Sequence, residues 1–175
     1  MKRALVLATL AMALAAGPAS ALTGVVTHVS DGDTVWVRPD DAPPRRKPLK
    51  LRVVGIDAPE RCQPWGEQAS AALASRVLHR HVTVPTRGVD DHGRLLGGLF
   101  LDDGSDVAAW MVANGHAWSA RWHGRPGPYA AQEEGARARR AGLFADAQAI
   151  EPRTFRRTRG PCAAPAAVRS SSSPG

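Results

Sequence analysis

The chain of 175 residues has little cysteine, only Cys62 and Cys162. Two thiols that far apart do not make the C-x-x-C pairs of a structural zinc site. It has no long apolar run after its first residues, and so no later segment able to cross ~30 Å of hydrocarbon. It has no internal repeat, which excludes solenoid and propeller architectures. Acidic residues are in the minority, with 16 Asp and Glu against 23 Lys and Arg and a formal charge of +7.

What is present begins with a leader. Lys2 and Arg3 precede an apolar stretch from Ala4 to Ala16, and Ala19-Ser20-Ala21 is a small-residue cleavage pattern. That order reads as a secretory signal peptide over residues 1–21, cleaved after about Ala21; the competing reading is a short membrane anchor. The working chain is then expected in the periplasm or the medium, with no membrane attachment, and with 21 basic against 16 acidic residues. Most of its cations are arginines, whose planar fork suits phosphate oxygens, so a polyanionic partner is favoured over a neutral one. In an oxidising compartment Cys62 and Cys162 read as one disulfide.

Periodicity places strands at residues 23–30, 34–38, 49–56, 81–86 and 95–101, and helices at 66–79, 106–114 (capped by Ser105) and 129–141. Residues 163–175 are Ala, Pro, Ser and Gly-rich and are expected to be a disordered tail to a domain over residues 22–162. Five short strands with inserted helices suggest an α+β fold, either a five-stranded OB-type barrel with three helices or an antiparallel α+β sandwich.

Several residues at element ends carry chemistry. Asp31 and Asp33 flank Gly32 in a tight turn, and Asp57 closes the most apolar strand, with Glu60 three residues on. Each carboxylate alone reads as a solvated turn residue. Together they are hard oxygen donors for a divalent cation plus a carboxylate able to orient or deprotonate water. Arg52 and Arg94 are fixed cations for oxygens that gain charge. Arg52 and Asp57 are an odd number of residues apart, so a flat strand would put them on opposite faces. Gly55 is the place where the strand can bend to bring them together.

The stretches Ser30-Asp31-Gly32-Asp33-Thr34-Val35, Leu51-Arg52 through Ile56-Asp57-Ala58-Pro59-Glu60, Asp90-Asp91-His92-Gly93-Arg94 and Gly115-His116-Ala117-Trp118 occur in the order and spacing of one family. On these residues the chain resembles the staphylococcal nuclease-like (thermonuclease) family. The resemblance implies the OB-like barrel, calcium dependence and endonucleolytic cleavage of DNA and RNA, leaving a 3′-phosphate. By position, Asp33, Asp57 and the backbone carbonyl of Ala58 would hold the calcium, with Asp31 behind them. Glu60 would act on the attacking water, and Arg52 and Arg94 would stabilise the transition state. The family's nucleotide-flanking tyrosines have no counterpart here. His92, Trp118 and Arg121 are the residues expected at the substrate instead, with single-stranded or frayed nucleic acid preferred. A monomer is expected. A non-catalytic OB-fold module that only binds nucleic acid is the competing function.

Overall fold

Valine at alternate positions builds the barrel wall. In β1 (Ala21–Asp31) and β2 (Thr34–Pro39), Val26, Val35 and Val37 have no exposed surface, while Thr27 and Trp36 face outward. β3 (Leu49–Val53) buries Leu51 and Val53 and turns Lys50 and Arg52 the other way. β5 (His81–Val89) buries Val82 and Val84. This period of two is what a strand with one face on a core requires. The computed structural model describes residues 21–160 and 162; residues 1–20 of the leader and the tail over 163–175 lie outside them.

The strands close on themselves. β1 pairs antiparallel with β2 on one side and with β5 on the other, β2 pairs with β3, and β6 (Leu95–Gly97) runs parallel to β3 and antiparallel to β5. The ring β1-β2-β3-β6-β5 therefore has no open edge, the OB-like solution to unpaired strand edges. β7 (Phe100–Leu101) adds to β5. Ala21 pairs with Pro85, so the barrel's ladder starts at the first described residue. Leu73 and Val77 of α1 (Gly66–Val77) and Val107, Met111 and Val112 of α2 (Val107–Ala113) fill the same core as the strand valines.

Two expected strands are each divided. Residues 49–56 split because Gly55 takes φ +84°, a left-handed conformation that side chains disfavour, and a Cβ there would strike Tyr129. Ile56–Asp57 then forms β4, paired with β8 (Trp118–Ser119) in a separate ladder. Residues 95–101 break at Gly98-Leu99, between β6 and β7. The cap of α2 is Asp106, not Ser105: its carboxylate accepts the amide of Ala109 at 3.1 Å. The described residues hold four α-helices rather than three. After α3 (Ala130–Ala138) and a 3-10 turn at Gly142–Ala145 comes α4 (Pro152–Arg159), opened by proline at its first position and followed by Gly160.

Cys62 and Cys162 are bonded, with Cα atoms 5.7 Å apart and a sequence separation of 100. The bridge ties the segment after β4 to the end of α4. A loop of that length corresponds to about 4–5 kcal/mol in the chain-entropy account. Reduction, or the pair C62S/C162S, is expected to lower the denaturant-derived stability by a few kcal/mol. An unchanged unfolding midpoint would show that the closed loop contributes nothing.

A second fastening lies at the opposite margin. His81 Nδ1 stands 2.7 Å from Asp102 Oδ1, and its Nε2 stands 2.9 Å from Asp40 Oδ2. The hydrogen bond to Asp102, then that to Asp40, raises the imidazole to about 8. The unfolded value is about 6.5, so folding favours the imidazolium. That contribution is fully present below pH ~6.5 and is lost as pH rises through about 8. NMR titration of the His81 ring should give a midpoint near 8, and a midpoint near 6.5 would contradict the paired geometry.

Candidate active site

The turn between β1 and β2 aims two carboxylates at one place. Asp31 Oδ1 accepts the amide of Asp33 at 3.1 Å, which sets the turn. The Asp33 carboxyl is then carried inward: the residue is only 7 % exposed. Its Oδ1 accepts from the Thr34 hydroxyl at 3.1 Å, and its Oδ2 accepts the Ala58 amide at 2.9 Å. Arg52 Nη1 lies 2.7 Å from the same Oδ2. Burial pushes the Asp33 carboxyl up to about 7 and Asp31 pushes the same way, while Arg52 and the Ala58 amide oppose them. The site thus contains a carboxylate whose charge is short of compensation even with a guanidinium at contact.

The break at Gly55 resolves the parity of Arg52 and Asp57. Because the chain turns left-handed there, Asp57 returns to the Arg52 side, and Arg52 Nη2 reaches Asp57 Oδ1 at 3.3 Å. Arg52 therefore spans the two carboxylates that the sequence assigns to a metal. Glu60 follows on a tight turn in which Gln63 N–H donates to the Glu60 carbonyl at 2.8 Å and the Gln63 side-chain oxygen accepts the Glu60 amide at 3.2 Å. Gly66 is required beside it, because a Cβ at that position would overlap the Glu60 carbonyl.

Arg94 is set by its own hairpin. Asp90 Oδ1 accepts the amides of His92 at 3.0 Å and Arg94 at 2.9 Å, and its Oδ2 holds Arg94 Nε at 2.8 Å. The backbone hydrogen bond from Arg94 is the largest of several that hold the Asp90 carboxyl below its usual range. Asp90 is a positioning residue that its place in a polar turn did not single out. The sign was there to read, since an aspartate four residues before an arginine across a glycine turn can accept both the turn amides and the guanidinium.

These groups share one open cleft of about 350 Å³. Asp31, Asp33, Arg52, Ala58, Glu60, His92 and Arg94 all line it, and so does Arg156 of α4. Arg156 was not among the residues the sequence nominated. Its Nη1 lies 2.6 Å from Glu60 Oε1, and its two terminal nitrogens reach the two Asp57 oxygens at 3.3 Å each. Four carboxylates (Asp31, Asp33, Asp57, Glu60) thus face three guanidiniums (Arg52, Arg94, Arg156), all as hard oxygen or planar cation groups.

Two expected substrate residues lie elsewhere. Trp118 is 3 % exposed and packs edge-on to Phe144, with ring centres 5.8 Å apart, in a small second core. Arg121 bridges Glu133 at 3.1 Å and Glu151 at 3.2 Å, so it braces α3 against the start of α4. Neither borders the carboxylate cleft. They were expected in place of the family's nucleotide-flanking tyrosines, but a tryptophan serves a core equally well.

Among the described residues no cluster of three or more His, Cys, Asp or Glu side chains stands ready to hold a metal ion. The donor chemistry nevertheless fits a hard cation. Asp33 is buried and under-compensated, Asp57 Oδ1 is held by the same guanidinium, and the Ala58 amide donates to Asp33. Two carboxylates leave room for water and phosphate oxygens, the sparse protein coordination that a hard cation accepts.

The sequence resembles those of known proteins. The sequence model of the staphylococcal nuclease homologue family matches residues 50–146, which include Arg52, Asp57, Glu60 and Arg94. The chain is 40% identical over 161 residues to a protein named ParB of Escherichia coli, covering 86% of this chain and 88% of that one. It is 33% identical over 144 residues to a micrococcal nuclease of Shigella flexneri, covering 77% and 80%. It is 34% identical over 133 residues to an uncharacterized endonuclease of Escherichia coli O157:H7, covering 76% and 84%. The chain, with its closed barrel and its cleft of carboxylates and arginines, belongs to the staphylococcal nuclease homologue family.

Proposed function

We propose that this protein is an exported, calcium-dependent endonuclease that hydrolyses phosphodiester bonds in DNA and RNA. The observation that carries the reading is the convergence of Asp33, Arg52, Glu60 and Arg94 on one cleft, with Asp57 bound to the Arg52 that lines it. Relatives named as a micrococcal nuclease and as endonucleases support the reaction class.

The chemical problem is a nucleophile approaching an anionic phosphorus. Calcium held by Asp33, Asp57 and the Ala58 carbonyl supplies charge shielding and phosphate orientation when bound. Glu60, held on its turn by Gln63, orients a water in line with the phosphorus and accepts its proton. Arg94 is pre-set by Asp90 and needs no reordering to meet a non-bridging oxygen. Arg52, engaged with Asp33 and Asp57 in the free protein, exchanges carboxylate for phosphate oxygens as the site loads. The 5′-oxygen leaves and the 3′-phosphate remains. His92, at the rim beside Arg94, contacts the nucleotide. With Trp118 and Arg121 turned to other work, His92 is the one aromatic ring among the described residues that line this cleft, so the strand is gripped mainly through its backbone and not by a base-stacking pair. Single-stranded or frayed regions suit that grip, since their phosphates are not held in a paired helix.

The chain from Leu22 onward should cleave single-stranded DNA in calcium and lose activity with chelator. Glu60→Gln and Arg94→Ala should each reduce the rate by about 10²-fold or more, the scale for removing one catalytic group. Wild-type rates in both variants would sink the assignment. Binding without cleavage under any divalent ion would leave a nucleic-acid-binding barrel in place of an enzyme.

A further inference from the structure

α4 lies outside the residues that match the family, yet it reaches into the cleft. It is short, eight residues, and four of them are arginines. Propensity alone would not hold such a helix against its own charge. Four attachments hold it: Pro152 and Phe155 are buried, Gln63 Nε2 donates to the Ile150 carbonyl at 2.6 Å, Arg121 grips Glu151, and Cys162 is bonded to Cys62. Gln63 and Cys62 both belong to the turn that presents Glu60. The helix and the catalytic turn are therefore one fastened unit.

At 100° per residue, Arg153, Arg156 and Arg157 fall within an arc of about 100°, on the side turned away from Phe155. All three are exposed. Arg153 and Arg157 make no hydrogen bond or ion pair among the described residues, whereas Arg156 is drawn in to Asp57 and Glu60. Arg159 sits nearer Phe155 and borders a different, largely apolar cavity beside Cys62 and Trp65. Like charges kept side by side without partners favour the approach of an anion, and spacing along one helix face suits a repeating one.

We propose that α4 is a phosphate-tracking strip, in which Arg153 and Arg157 hold backbone phosphates of the bound strand outside the cleft and Arg156 leads that strand in beside Glu60. This rests on the nucleic-acid substrate proposed above and adds the element that holds the strand next to the cleaved bond. Arg156 acts as an internal counterion for Asp57 and Glu60 in the free protein, and is released to phosphate as the site fills.

The test is anisotropy of a labelled oligothymidylate with the full mature chain in chelator, where nothing is cut, as salt is raised. Each phosphate contact on single strands contributes about 0.7 to the slope of log affinity against log salt. The double variant R153Q/R157Q should lower that slope by about 1.4, and each single substitution by about 0.7, while R159Q leaves it at the wild-type value. Circular dichroism confirms folding, and the single variants carry the test should the double be unstable. A wild-type slope in R153Q/R157Q overturns the strip, as does an equal change in R159Q, which would mean diffuse charge and not a track. Cleavage in calcium by wild-type protein is read separately. A chain that cuts DNA but shows the unchanged slope loses the strip alone, and one that shows the slope change but never cuts keeps the strip and loses the enzyme.

Discussion

A buried carboxylate is expensive unless cations and donors surround it, and the arrangement of this site follows from how Asp33 is surrounded. Its side chain takes the Ala58 amide, the Thr34 hydroxyl and the Arg52 guanidinium, and its backbone carbonyl takes the Val53 amide at 2.8 Å. Those partners come from the start of β2, the end of β3 and the segment after β4. One acidic residue therefore fixes three pieces of chain that the barrel alone would only bring near one another. Removing Arg52 would strand that charge, so structural and chemical roles cannot be separated at this position. The residue that steadies the free site is the one the proposed reaction needs on the phosphate.

Much of the fold was legible because the barrel is built from a simple signal. Alternating aliphatic residues in β2, β3 and β5, with Val26 of β1, face one core, and their period survives in the structure. What the pattern could not convey was where a strand stops being in the same sheet. Val53-Val54-Gly55-Ile56 reads as continuous apolar strand, yet the left-handed φ at Gly55 moves Ile56–Asp57 into a ladder with Trp118–Ser119. Glycine marks such a break without saying which way the chain leaves. The odd spacing of Arg52 and Asp57 was the better clue, since it required a bend if both served one site.

The site was legible in its carboxylates and two of its arginines, and illegible in its third. Arg156 is 96 residues from Glu60, in an eight-residue segment with only Pro152 and Phe155 as apolar members, too few to mark a helix by their period. The helix signs were present in miniature, with proline at the first position and glycine after the last. A helix of two turns depends on tertiary attachments that no local pattern reports. Trp118 shows the opposite failure. Its neighbourhood of aromatic and basic residues looked like a binding surface, but β4 pairs with β8 and turns its ring into the second core against Phe144.

The disulfide connects these two failures. Cys62 lies two residues after Glu60, and Cys162 two residues after the glycine that follows α4. In sequence the bridge reads only as a long closed loop. In space it fastens the arginine-rich helix to the turn that carries Glu60, the carboxylate proposed to orient water. A bridge enclosing the same length of chain would stabilise it through loop entropy alike wherever its two ends fell. Its placement here does more, because it is one of the attachments that keep Arg156 next to Glu60. With Arg52 spanning Asp33 and Asp57, and Arg156 spanning Asp57 and Glu60, every carboxylate of that chain of three touches a guanidinium in the free protein, although Asp33 stays short of full compensation. Guanidiniums are weakly hydrated and bind phosphate as readily as carboxylate. A divalent cation taking the carboxylates would therefore free both arginines at the point where a phosphodiester arrives, so that loading of the cation and capture of the anion favour one another.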